Sequence, residues 1–256
     1  MAIFDDLEAE EQRLDGILAG LDDAQWASPS GAAGWSIADV VLHLAQSEEA
    51  VVSSAVVSGA VIASGQPGRS ATSLANRPSG LSVDEFAAQA VQVERTLPGL
   101  VLRRWREART AALAALRSAG PQQPLRWVET PLKPATLATT RLAEHWAHGL
   151  DIAGPLGLDF PDTGRLRHIA WLAHRTLPYA FALAGQDPAE VSCELTAPDG
   201  GTVWQYGALD AGSAISGPAG AFCRVAARRL TPEQAGLRLT GPHALAALQV
   251  IRTYAA

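Results

Sequence analysis

The sequence predicts an α+β fold in two parts, a bundle of four antiparallel helices followed by a small α/β domain. Three observations carry the prediction. Apolar residues recur at helical spacing through most of the first 158 residues. Near 155 to 162, in GPLGLDFPD, that pattern is interrupted by Gly and Pro. Beyond it, VSCELTAP and TVWQYG alternate or run apolar around Asp199-Gly200-Gly201, a hairpin signal. The expected domains are therefore 1–158 and 159–256.

Each element follows from local chemistry. Residues 3 to 21 place Ile3, Leu7, Leu14, Ile17, Leu18 and Leu21 on a helical stripe between acids. WSIADVVLHLAQSEEAVVSSAVV, 35 to 57, is a second helix, with Ser36 as N-cap and Asp39 completing a capping box. The segment 58 to 82, rich in Gly, Ser, Ala and Pro, reads as a loop. A third helix is expected from Ser82 or Asp84 to about Ala119, bent at Pro98, and a fourth over roughly 136 to 153, stopped by Gly154-Pro155. Four such helices suit a bundle. Then come a helix over 163 to 184, the hairpin, an apolar helix in GPAGAFCRVAARR, a short strand in GLRLTG and a last helix in ALAALQVIRTYA.

Composition excludes several classes. Apolar residues make up 48% of the chain, ample for a core, and seven Trp against one Met supply bulky anchors. The net charge of -6 argues against a nucleic-acid partner, because phosphate binding needs a cationic stripe. The nearest candidate, Arg103-Arg104-Trp105-Arg106, reads as the solvated side of a helix. No apolar run reaches about 18 residues, so no membrane partner is expected. The start is acidic, unlike a signal peptide, and Cys193 and Cys223 are too few and too far apart for a disulfide framework. The expectation is a cytoplasmic protein, monomer or homodimer, acting on a small molecule.

The chemistry concentrates in RLAEHWAHGLD, 141 to 151. Glu144 and His148 stand four apart on one helix face and can grip a single divalent ion, and Asp151 continues the stripe. His145 points elsewhere on the helix, towards a surface or interhelix role. The third ligand would be His43, set among apolar residues in VVLHLA. An HExxH motif is absent. Glu48 and Glu49 follow His43 by about a turn and read as a solvated face. Trp35 and Trp146 read as packing residues, and His168 and His174 have no visible partners.

GWSIADVVLHLAQSE and RLAEHWAHGLDIAGPLG resemble the two metal-binding segments of the DinB-like superfamily, in particular the mycothiol-dependent maleylpyruvate isomerases. DTGRLRHIAWLAHRTLPYAF, ELTAPDGGTVWQYG and ISGPAGAFCRVAARR resemble the same group, so the likeness spans nearly the whole chain. It implies His43, Glu144 and His148 as metal ligands, a DinB-like bundle, and a second domain related in shape to sterol carrier domains. It also implies that Arg228 or Arg229 meets an anionic substrate or thiol across the domain cleft.

Two imidazoles and a carboxylate suit Zn²⁺ first, with Ni²⁺ or Fe²⁺ as alternatives, and leave a coordination position open. With mycothiol or another small thiol as cosubstrate, the expected activity is transfer to, or isomerisation of, a small electrophile. Asp151 would support a ligand histidine. Rival readings are a hydrolase using metal-bound water, with Asp151 or Glu48 as base, and a non-enzymatic small-ligand carrier. A tRNA-modifying role is opposed by the acidic charge.

Overall fold

The computed structural model describes residues 3–59, 80–128 and 130–253. Most of the expected loop at 58 to 82 lies outside the described residues. The chain divides into two compact units, one up to residue 160 and one from 161.

The first unit is helical: α1 (Ile3–Leu18), α2 (Asp23–Ala27), α3 (Ile37–Val57), α4 (Val83–Glu94), α5 (Pro98–Ser118) and α6 (Pro134–Ala153). Four long helices form the bundle, with α3 on α5, α1 on α6, and further packing of α3 with α6 and α1 with α5. Its core joins Leu14 and Leu18 of α1, Val40, Val41 and Leu44 of α3, Val101 and Trp105 of α5, and Ile152 of α6. The Ser36–Asp39 capping box is present, each side chain bonding the other's main-chain N–H. Among the described residues, α3 alone is long and apolar enough to cross a membrane, and 67% of its most apolar window is buried inside the protein. Its hydropathy is that of a core helix.

Three details differ from the sequence expectation. The helix expected from 82 to 119 is two helices, α4 and α5, rather than one bent helix. Proline forces the residue before it into extended backbone, and Leu97 duly has φ -63 and ψ 141. The break is anchored by Arg95, whose guanidinium forks onto both carboxylate oxygens of Asp39 at 2.9 and 3.0 Å. The short α2 went unseen, although Asp22 and Gln25 form a capping box of their own. Finally, the arginine run is solvated only in part: Arg103 and Arg106 are exposed as expected, but the two residues between them are not. Arg104 donates to Glu49 at 2.6 Å and Glu94 at 2.7 Å, and Trp105 is buried.

The second unit holds α7 (Leu166–Arg175), α8 (Leu177–Leu183), β1 (Ser192–Thr196), β2 (Val203–Tyr206), β3 (Ala214–Pro218), α9 (Ala219–Ala226), β4 (Arg238–Thr240) and α10 (Ala244–Val250). The sheet order is β2-β1-β3-β4, with β1 antiparallel to β2 and parallel to β3, and β3 antiparallel to β4. The hairpin turn is tied by Asp199, whose carboxylate accepts from the N–H groups of Gly201 and Thr202 at 3.0 and 2.8 Å.

The helix expected over 163 to 184 is split at Thr176, with Pro178 in the first turn of α8. Strand β3 was not anticipated: AISGP offers one large apolar residue, Ile215, too little for an alternation signal. The last helix ends at Val250, earlier than expected. There Arg228 donates to the carbonyls of Gln249 and Val250 at 2.9 and 3.3 Å, occupying acceptors that a helix end exposes.

Candidate metal centre

Helices α3 and α6 place three donors together. His43 comes from the middle of α3, and Glu144 and His148 from one face of α6. Their ligating atoms all lie within 4.8 Å of one another. The Nε2 atoms of His148 and His43 stand 3.5 and 3.9 Å from Oε2 of Glu144. Ligands on a tetrahedral ion with bonds near 2.1 Å are roughly 3.4 Å apart, so the cluster fits one ion with small adjustments.

Asp151 completes the arrangement. His148 donates through Nδ1 to Oδ2 of Asp151 at 2.9 Å, which directs the Nε2 lone pair towards His43 and Glu144. The loop before α3 buttresses this end of α6, for the N–H of Gly31 donates to the carbonyl of Asp151 at 2.7 Å. A Cβ on Gly31 would stand 3.0 Å from the Asp151 Cα. Trp35, from the same loop, lies against His43 at 5.0 Å between ring centroids and stacks near His148 at 6.4 Å. It is thus a wall of the site as well as a packing residue.

The electrostatics suit a cation. Burial lowers the His43 pKa, favouring the neutral imidazole that a metal needs. Burial would raise Glu144, but the facing imidazoles of His148 and His43, with the nearby Arg141 charge, outweigh it and hold the carboxyl well below its usual range. Burial would likewise depress His148, yet its bond to Asp151 and the nearby Glu144 leave its pKa raised, so a metal ion would have to displace a proton there.

Beneath this site lies a second polar group. Glu11 of α1, Glu48 of α3 and His145 of α6 are all buried, and their candidate ligand atoms also lie within 4.8 Å of one another. This group does not fit an ion. His145 spends both ring nitrogens, Nδ1 donating to the Arg141 carbonyl at 2.9 Å and Nε2 accepting from the Trp105 indole at 3.2 Å. Burial brings its pKa down to about 3, so it stays neutral.

Glu48 accepts from Arg141 at 2.7 Å, and Arg109 stands 4.0 Å from Glu11. Within these two ion pairs, the buried atoms without a hydrogen-bond partner are two acceptors, Glu11 Oε1 and Glu48 Oε2, and two donors, Arg141 Nη2 and Arg109 Nε. A cation would satisfy only the acceptors. The two guanidiniums already supply positive charge. Glu48 is therefore not on a solvated face, because its ion pair with Arg141 ties α3 to α6. Glu49 is also engaged, with Arg104.

The other expected residues fall in the second unit. Arg228 and Arg229 donate to main-chain carbonyls, Arg229 to Ala227 at 2.6 Å. His174 has a partner after all, the Val191 carbonyl at 2.8 Å, and its ring stacks on Tyr206. Cys193 and Cys223 are buried; burial pushes the Cys193 thiol up to about 12 and raises Cys223 as well.

Residues 7–153 match the family model described as the mycothiol maleylpyruvate isomerase N-terminal domain, which covers more than half of the chain. The chain belongs to the mycothiol maleylpyruvate isomerase family.

This family match spans α3 and α6, and so all four residues of the candidate centre. The chain is also 35% identical over 252 residues to uncharacterized proteins from two strains of Mycobacterium tuberculosis, covering 98% of this chain and 94% of theirs. In fold it is similar to crystal structures of the mycothiol-dependent maleylpyruvate isomerase and of a histidine-to-alanine mutant. Their TM-scores are 0.60 and 0.61, at 14% and 13% identity, over 93% of this chain and 91% of each of those. The α+β fold is thus that of the maleylpyruvate isomerases.

Proposed function

We propose that the chain is a divalent-metal-dependent enzyme that uses a small thiol, mycothiol foremost, to transfer to or isomerise a small electrophile. The observation that carries the proposal is the convergence of His43, Glu144 and His148 with Asp151 behind His148. Two imidazoles and one carboxylate make a site for Zn²⁺ first, or for Ni²⁺ or Fe²⁺, with room for one exchangeable ligand. Family membership supports the thiol.

The bound ion would supply acidity, bringing a coordinated thiol to its thiolate at neutral pH. The chain's own residues do the rest. Asp151 holds the His148 ring by accepting its Nδ1 proton. Trp35 screens the two imidazoles with an apolar ring. Neither cysteine can supply the nucleophile, since both thiols are buried with raised pKa values. The thiol must therefore be borrowed.

In isomerisation its sulfur adds to an activated alkene, the former double bond rotates, and the C–S bond breaks to return the thiol. In transfer the C–S bond is kept and the electrophile takes the proton. Arg228 and Arg229 enter only as contacts for an anionic substrate or thiol, because their guanidiniums already serve carbonyls. A hydrolase is less well supported: Asp151 is engaged by His148, and Glu48 is closed off by Arg141.

The test begins with elemental analysis of untagged wild type and of His148→Ala. Wild type should carry about one equivalent of transition metal, and the variant should lose it. Metal-loaded wild type is then assayed with mycothiol and maleylpyruvate, followed by epoxides and other activated alkenes. Turnover should require both metal and thiol. No metal uptake after reloading with Zn²⁺ or Ni²⁺, or turnover indifferent to thiol, would overturn the proposal.

A further inference from the structure

The buried polar group beneath the metal centre contains an ion pair of incomplete form. Elsewhere in the first unit an arginine meets a carboxylate through two parallel bonds. Nε and Nη2 of Arg104 donate to the two oxygens of Glu49 at 2.6 and 2.8 Å. Arg95 grips Asp39 in the same way. That fork is the strong geometry for such a pair. Arg141 and Glu48 make only half of it. Nε of Arg141 donates to Oε1 of Glu48 at 2.7 Å, but Arg141 Nη2 and Glu48 Oε2 have no hydrogen-bond partner among the described residues.

Burial makes this the reverse of what desolvation favours. The Arg104 and Glu49 side chains keep 28% and 27% of their surface, and their fork is complete. Arg141 and Glu48 keep 3% and 0%, where a charged group left short of partners costs most. Glu11 of α1 adds a third such atom, Oε1. The carboxylate oxygens of Glu11 and Glu48 come within 4.8 Å of each other. Two acceptors served by one water, with bonds near 2.8 Å at a tetrahedral angle, stand roughly 4.6 Å apart.

The chemistry of these atoms selects the ligand. They are two acceptors and one charged donor, with Nε of Arg109 as a further donor on the arginine beside Glu11. A cation serves only the acceptors, and an anion only the donors. Water serves both, and a buried water typically makes about three hydrogen bonds.

We infer that one ordered water molecule is built into the bundle beneath the metal centre, accepting from Nη2 of Arg141 and donating to Oε2 of Glu48 and Oε1 of Glu11. It closes the half-made fork and ties α1 to the seam of α3 and α6 without adding charge. Its second lone pair serves Nε of Arg109 or a proton carried by Glu11. This inference does not rest on the metal reading, and either can fail alone.

The test is a crystal structure of the whole wild-type chain, at a resolution that places single waters. A peak about 2.5–3.2 Å from all three atoms is expected. In solution, water relaxation dispersion counts long-lived internal waters. Glu48→Leu with Arg141→Met replaces both partners by apolar groups of similar shape. It should lose one such water relative to wild type at equal metal content. The same replacement at the half-buried pair, Glu49→Leu with Arg104→Met, should lose none. Circular dichroism shows whether each variant folds, and the crystal decides alone where the buried double change does not. A complete Glu48–Arg141 fork with no peak, or a peak with bonds near 2.1 Å that marks a metal ion, would overturn the inference. So would an unchanged water count in the folded buried-pair variant, or an equal loss from both pairs.

Discussion

Asp151 and Glu11 are buried acids with opposite assignments, and each can be tested alone. Asp151 accepts the Nδ1 proton of His148. Replacing it by Asn keeps the shape but removes the charge that makes His148 a better ligand. Metal affinity, measured by competition with a chromogenic chelator, should fall about 10- to 100-fold while the fold persists. Glu11 works through protonation. Burial, then the facing Glu48, pushes its carboxyl up from 4.5 to about 9, against the pull of Arg109 and Arg141. The folded chain thus holds a proton that the unfolded chain releases near pH 4.5. The resulting stabilisation is full below that value and is lost as pH rises through about 9. Glu11→Gln mimics the protonated acid, so it should flatten the decline in melting temperature between pH 5 and 9 that wild type shows. Parallel curves for the two proteins would refute a protonated Glu11.

Helix α6 meets its neighbours through a small residue and a buried charge. A Cβ on Gly149 would lie 2.3 Å from the Phe160 ring. Alanine favours a helix over glycine by roughly 1 kcal/mol, yet Gly149→Ala should lower the denaturation midpoint, because the ring must move. A higher midpoint would show that the ring yields freely. The Glu48–Arg141 pair behaves differently, since both partners are buried. Glu48→Ala strands a guanidinium in the core and should cost about 3–5 kcal/mol in urea unfolding, whereas the double change Glu48→Gln with Arg141→Met should cost much less.

These contacts also show what a sequence can carry. The i, i+4 pair Glu144–His148 and the Ser36 cap were legible because they depend on neighbours along one helix. The pairing of His43 with α6 was suggested by its apolar setting and by the family likeness. Glu48 was misread because its partner lies 93 positions away, and nothing local marks an acid as buried. Strand β3 was missed because AISGP carries too little apolar alternation to signal a strand, and its pairing with β1 and β4 depends on residues distant in the chain.

At the scale of the whole chain, the proposed metal would be linked to folding only through the unit that holds its ligands. His43, Glu144 and His148 all belong to the unit ending at residue 160. Saturating metal at a hundredfold excess over its dissociation constant would add about 2.7 kcal/mol to that unit. Stripping it with a chelator should lower the unfolding temperature reported by bundle residues and leave residues 192 to 218, which span β1 to β3, unaffected. Fragment-resolved hydrogen exchange on heating separates the two, and a uniform shift would show that the units unfold as one. One amide offers a finer reading. The Gly31 N–H is held by the Asp151 carbonyl, immediately behind the side chain that steadies His148. If the site takes an ion, that amide's deuterium uptake would become a native gauge of occupancy, slowing as the site fills, with no label, dye or turnover required.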